Sequence, residues 1–199
     1  MVDDLVRFLA PNWNLIYEGL VDVASKIKSS GEEFDAIVGI ARGGWIPARI
    51  LSDFLGVKRL ISMQVSSYQG LTKNEVKSLD EYRLATSERK ILLVDDVADT
   101  GSSLLYIKNR LMEAGTVCRT TTIYVKPWTN FWPDYYYREV TEWVVFPWEI
   151  IETVGIRLNQ GLSGYDQVFQ EIGLDPELYT IIRPILGEHY GDKNRLKKI

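Results

Sequence analysis

The chain has 199 residues, 46% of them hydrophobic and 25% charged, which is the composition of one ordinary globular domain with enough apolar mass for a sizeable core. Its formal net charge of −4 speaks against broad attraction to nucleic acid or to an anionic membrane surface. A lone cysteine, Cys118, cannot form an intrachain disulfide or a zinc cluster, and a lone histidine, His189, leaves any Ser-His-Asp triad dependent on one residue.

No apolar run is long enough to span a membrane, and Asp3, Asp4 and Arg7 do not suit a secretory leader, so a cytoplasmic protein is expected. Ile16, Leu20, Val23 and Ile27 recur at helical spacing between Asn12 and Ser30, with Gly31 as the stop. Ala36 to Ile40 reads as a short strand buried on both faces, and Trp45 to Leu55 as a helix with Pro47 in its first turn. Between them stands Ala41-Arg42-Gly43-Gly44. Adjacent glycines expose backbone N–H groups, and Arg42 adds a forked cation, a combination suited to a diphosphate. The plain alternative is a Gly-Gly turn beside a solvated arginine.

Leu60 to Val65 is a third apolar strand. From Ser66 to about Glu81 the chain is polar apart from Tyr68, Leu71, Val76 and Leu79, and such a connection is either disordered or a functional lid, with an ordinary β-hairpin excursion as the plain alternative.

The densest chemistry lies in Ile91 to Leu104, I-L-L-V-D-D-V-A-D-T-G-S-S-L. Ile91 to Val94 forms a buried strand that ends in Asp95 and Asp96. Asp99, Thr100, Gly101, Ser102 and Ser103 then lead into a helix with Leu104, Ile107 and Leu111 on one face. Backbone N–H groups around Gly101, at the positive end of that helix, converge on a single anion, and three hydroxyls add donors. Asp95 and Asp96 would repel a phosphate but suit sugar hydroxyls or magnesium. A simple helix cap at Asp99 or Thr100 explains only one or two of these residues.

Thr120 to Val125 is a β-branched strand ending in Lys126-Pro127, and Trp128 to Tyr137 is aromatic. Next comes T-E-W-V-V-F-P-W-E, from Thr141 to Glu149. Tyr165 to Ile172 and Asp175 to Leu186 read as two helices, the second with Asp175 as N-cap, Pro176 in its first position and a kink at Pro184, ahead of a basic tail, Lys193 to Lys198. Strands alternating with helices imply an α/β fold, a parallel sheet with helices on both faces and ligands at its carboxyl rim.

Ile91 to Leu104 resembles the phosphoribosyl-diphosphate (PRPP) signature of type I phosphoribosyltransferases, with every position filled, and the resemblance extends over about Ala36 to Glu149. Lys126 and the W-V-V-F-P-W-E segment are similar to the 6-oxopurine branch, which includes xanthine-guanine and hypoxanthine-guanine phosphoribosyltransferases. The resemblance implies a core over residues 1–150 with a small base-binding hood, and a C-terminal helical extension over 151–199. It implies transfer of the 5-phosphoribosyl group from PRPP to guanine, xanthine or hypoxanthine, giving the nucleoside monophosphate and diphosphate, as in purine salvage. Asp95 and Asp96 would hold the ribose and, directly or through water or PRPP, Mg2+. Asp99 would be the acid-base carboxylate, while Asp99 and Thr100 to Ser103 would cradle the 5′-phosphate. Arg42, Gly43 and Gly44 would bind diphosphate, and the peptide bond entering that loop would be cis. Lys126 would bond the 6-oxo group, Trp143 would stack on the base, and backbone beside it at Val144 would read the exocyclic edge. Ser66, Ser67 and Tyr68 would begin a mobile loop. Trp128, Trp132 and Tyr135 to Tyr137 are assigned to core or subunit contacts. A homo-oligomer, dimer or tetramer, is implied, without nucleic-acid or membrane partners. Two other readings stand beside this one, a PRPP- or nucleotide-binding regulator on the same fold, and a transferase for orotate or uracil.

Overall fold

A computed structural model of the chain describes residues 6–68, 75–78, 89–161 and 164–190. Contacts divide the chain into two units, one of Leu15–Thr141 and one of Met1–Asn14 with Glu142–Ile199.

The larger unit is built on a parallel sheet. Strands β2 (Ala36–Ala41), β3 (Leu60–Tyr68), β5 (Lys90–Val94) and β7 (Val117–Val125) are its long members. Short strands β4 (Glu75–Ser78), β6 (Val97–Ala98) and β8 (Tyr135–Glu139) complete seven among the described residues, in the order β4-β3-β2-β5-β7-β6, with β8 also on β7. Every pairing is parallel except that of β3 with β4. Val94 faces Thr121 and Val97 faces Tyr124, so β6 keeps the register of β5 along β7 and the Asp95-Asp96 step interrupts one continuous ladder.

The two faces of β2 show why the central strands are apolar throughout. Ala36, Val38 and Ile40 join Ile61, Ile91 and Leu93 in one cluster with Leu104, Ile107 and Leu111 of helix α3 (Ser102–Glu113). Each of those leucine and isoleucine side chains stabilises the fold by roughly 1.5–3 kcal/mol through burial. On the opposite face Gly39 admits helix α2 (Trp45–Leu55), for a Cβ there would lie 2.9 Å from Ala48 Cβ. Helices therefore cover both faces, as the sequence implies. Helix α1 (Trp13–Ser29) buries Ile16, Leu20, Val23 and Ile27, the four residues picked out by spacing.

A polar network ties the loop after α1 to the start of β7. Arg119 donates from Nε and Nη2 to Glu32 at 2.9–3.0 Å, and Asp134 accepts from the Thr120 N–H and hydroxyl at 2.8 Å. The Arg119 guanidinium, first through its hydrogen bonds, holds the Glu32 carboxyl below its usual range. Burial pushes Asp134 up, but the Thr120 bonds and the charges of Lys108 and Arg119 outweigh it and keep that carboxyl low.

In the smaller unit, β1 (Phe8–Leu9) pairs parallel with β9 (Trp143–Val144), beside helices α4 (Ile150–Asn159), α5 (Tyr165–Ile172) and α6 (Pro176–Tyr190). Val145, Ile150, Val154, Val168, Phe169, Ile172 and Leu186 form its core. Asp175 caps α6 as expected, accepting from Glu177 N–H at 2.8 Å. Helix α4 has no counterpart in the sequence reading, although Ile150, Val154 and Leu158 carry its spacing. No helix among the described residues is long and apolar enough to cross a membrane.

Candidate active site

The acidic pair sits where β5 ends. Asp96 is buried and Asp95 half-buried, since the ladder on either side holds the backbone in the sheet: Asp95 N–H donates to Thr121 O, and Asp96 O accepts from Ile123 and Tyr124. The carboxylates are turned by local bonds, Asp96 N–H to Asp95 Oδ1 at 3.0 Å and Val97 N–H to Asp96 Oδ1 at 2.8 Å. Burial, and secondly the charge of Asp96, raises the Asp95 carboxyl well above the usual range. Two like charges in a partly dry site favour a cation or hydroxyl donors as company.

The loop after β2 packs onto this pair. A Cβ on Gly43 would meet the Asp96 carboxylate, lying 2.5 Å from Cγ, and one on Gly44 would lie 2.5 Å from Val94 O and 2.8 Å from Asp95 Cα. The glycines are thus demanded by close approach to the acidic strand end. The Ala41–Arg42 peptide bond is cis. Arg42 itself is exposed at the head of the loop.

Gly101 opens α3 with φ +77°, and a Cβ there would fall 2.7 Å from Phe131 Cβ and 2.9 Å from Thr129 Oγ1. Both the left-handed backbone and the packing call for glycine. Gly101 has no side chain to cap the helix; Thr100 Oγ1 instead accepts from the Ser102 N–H at 3.3 Å and lies 2.9 Å from Ser102 Oγ in a small hydroxyl cluster. Asp99, Thr100 and Ser102 are exposed and Ser103 half-buried.

A third loop follows β7. Lys126 N–H donates to Ala98 O at 3.0 Å and Asn130 N–H to Thr100 O at 3.1 Å, which fastens residues 126–130 alongside the Asp99 loop. Lys126 is buried, its Nζ 5.4 Å from the centre of the Trp128 ring. Trp128 Nε1–H donates to Asp99 Oδ1 at 2.8 Å. The assignment of Trp128 to core or subunit contacts missed this bond, and only the K-P-W-T turn pattern beside Lys126 hinted at it. Other aromatics of the stretch do pack internally: Trp132 stands edge-on to Tyr136, Tyr135 OH bonds Glu32, and the Tyr137 ring fills the space over Gly19.

Loops 41–44, 95–103 and 126–131 therefore meet at the carboxyl rim, bringing together Gly43, Gly44, Asp95, Asp96, Asp99, Gly101 and Lys126. Ser66, Ser67 and Tyr68 form the end of β3, where Ser66 pairs with Lys77 and Tyr68 with Glu75 of β4; most of the expected lid lies outside the described residues. Trp143 and Val144 belong to the smaller unit, where Trp143 is exposed, Val144 buried, and Trp143 N–H donates to Arg7 O at 2.8 Å. No group of three or more histidine, cysteine or acidic side chains suited to a metal occurs among the described residues. Two adjacent carboxylates do fit magnesium, which keeps several waters and binds through one or two carboxylates together with substrate phosphates.

Residues 12–151 match the family described as the phosphoribosyl transferase domain. The chain is 31% identical over 148 residues to a xanthine-guanine phosphoribosyltransferase of Gluconobacter oxydans, an alignment covering 72% of this chain and 86% of the relative. Among solved structures it is similar to a purine phosphoribosyltransferase of Pyrococcus horikoshii, with 31% identity, TM-score 0.62, and coverage of 70% of this chain and 92% of that one. A xanthine-guanine-hypoxanthine phosphoribosyltransferase of Helicobacter pylori shares the fold at 18% identity and TM-score 0.68, covering 77% and 99%.

Proposed function

The chain belongs to the phosphoribosyl transferase domain family, and from that membership we propose that it transfers the 5-phosphoribosyl group of PRPP to a 6-oxopurine, as a purine-salvage enzyme. The observation that carries the proposal is the meeting of three loops at one rim, with glycines held against an acidic pair on one side and a buried lysine near an acidic loop on the other. Similarity to a xanthine-guanine enzyme supports the choice of base.

In this reading the bond from C1 of the ribose to diphosphate oxygen breaks, the diphosphate leaves with the electron pair, and a purine nitrogen forms the new bond to C1. Asp95 and Asp96 accept hydrogen bonds from ribose hydroxyls. Arg42 with the Gly43-Gly44 backbone receives the diphosphate, while Thr100 to Ser103 grip the 5′-phosphate and so convert remote binding into alignment. Lys126 donates to the 6-oxo group, which adenine lacks. Asp99 takes up the purine proton, a role that contributes typically about 100- to 10,000-fold. Magnesium, held by Asp95 and Asp96 directly or through water, would neutralise charge on the departing diphosphate.

The family match ends at residue 151, which supports treating 151–199 as an extension of the transferase core. Self-association, a cytoplasmic location, and a lid beginning at Ser66 to Tyr68 belong to the same proposal on family resemblance. The test is nucleotide formation from PRPP and magnesium with guanine, hypoxanthine, xanthine, adenine, orotate and uracil in parallel. Turnover limited to oxopurines is expected; turnover of orotate or uracil alone, or binding of PRPP without turnover, overturns it.

A further inference from the structure

We infer that Trp128 is a positioning residue for Asp99, fixing the plane of the carboxylate that receives the purine proton; this rests on the transferase reading above. A carboxylate on an exposed loop rotates about its last bond unless something holds one oxygen. Trp128 does so at 2.8 Å through a group that can only donate, and the neighbouring Oδ2 is thereby the oxygen presented to the base.

The indole is itself well placed to hold. Thr129 N–H donates to Lys126 O at 3.0 Å, closing a turn in which Pro127 pre-sets the backbone angle just before Trp128. Lys126 N–H to Ala98 O and Asn130 N–H to Thr100 O then bind the backbone on either side of Trp128 to the backbone on either side of Asp99. Its ring meanwhile faces the Lys126 ammonium at 5.4 Å. One side chain thus touches both the proton acceptor and the group that reads the 6-oxo position. Trp128 is 52% exposed, so half of its ring contributes little to the core.

The experiment compares wild type, Trp128→Phe and Trp128→His, and repeats Trp128→Phe in an Asp99→Ala background. Phenylalanine keeps the ring and removes the N–H; histidine keeps a ring N–H. A hydrogen bond to a charged group sets the expected loss of kcat for Trp128→Phe at about 10-fold. KM for PRPP should stay within about twofold, since the replacement leaves the ribose and phosphate contacts in place. Trp128→His should recover part of the loss, and in the Asp99→Ala background the phenylalanine replacement should cost nothing further. Unchanged kcat in Trp128→Phe, or an equal loss with and without Asp99, overturns the inference while leaving the transferase reading intact. A wild-type protein that turns over no 6-oxopurine overturns both.

Discussion

Gly43 lies against the carboxylate of Asp96, so close that a single added methyl carbon would sit 2.5 Å from Asp96 Cγ. Two loops more than 50 residues apart in sequence thereby share one surface, with an N–H-rich backbone on one side and a negative charge on the other. Gly43→Ala must push the carboxylate or the loop aside. A rise of about 10-fold or more in KM for PRPP is expected, with an overpacking cost of about 1–3 kcal/mol in thermal unfolding. Unaltered PRPP kinetics in the alanine variant would show that the contact does not shape the site.

Asp95 gives a stability prediction of unusual sign. Its carboxyl is raised well above 3.8 by burial and by the charge of Asp96. A raised carboxyl adds stability that is fully present below the unfolded value and lost as pH rises through the folded one. Ionised Asp95 therefore works against folding at neutral pH. Asp95→Asn, whose carbonyl still accepts the Asp96 N–H, should unfold at higher temperature than wild type near about pH 8 in metal-free buffer, with the gap closing toward about pH 4. Phosphoribosyl transfer should fall at the same time. Equal melting temperatures at the higher pH would refute the prediction.

These two residues also mark what the sequence made legible. Buried runs such as Ile91 to Val94, and glycines placed at strand ends, are local signals whose meaning survives folding, and the limits expected for α2 and α5 agree with those observed. Strand β6 was not legible, because two residues that merely continue the β5 register carry no pattern of their own. Helix α4 was obscured by Gly155 and Thr153 within its buried face. Trp128 was hidden for another reason: an indole reads as core until its N–H partner is known, and that partner lies 29 residues away.

Lys126 tests the choice of base. Its burial makes the ammonium costly to hold, which is tolerable where it meets a ring face and an acceptor on the substrate. Lys126→Met keeps the length and the apolar stem. Discrimination for guanine or hypoxanthine over adenine should drop by about 10-fold or more, with PRPP affinity nearly unchanged. A variant that keeps full preference for the oxopurines would remove Lys126 from base recognition.

The Glu32–Arg119 pair predicts how the fold fails in acid. Glu32 is held below its ordinary value of 4.5, mainly by the hydrogen bonds of Arg119, and burial opposes this less strongly. A lowered carboxyl contributes stability that is present above the unfolded value and lost as pH falls through the folded one. The melting temperature should therefore decline below about pH 4.5 as Glu32, and then Asp134, take up protons. Glu32→Gln keeps an oxygen for the guanidinium and for Tyr135 OH but removes the charge. The variant should melt below wild type near about pH 7, and the two should converge near about pH 3, where wild-type Glu32 is also neutral. Because Arg119 is 43% exposed, salt should shrink the neutral-pH difference as well. A difference that stays constant across the whole pH range would mean that the pair acts through packing rather than charge.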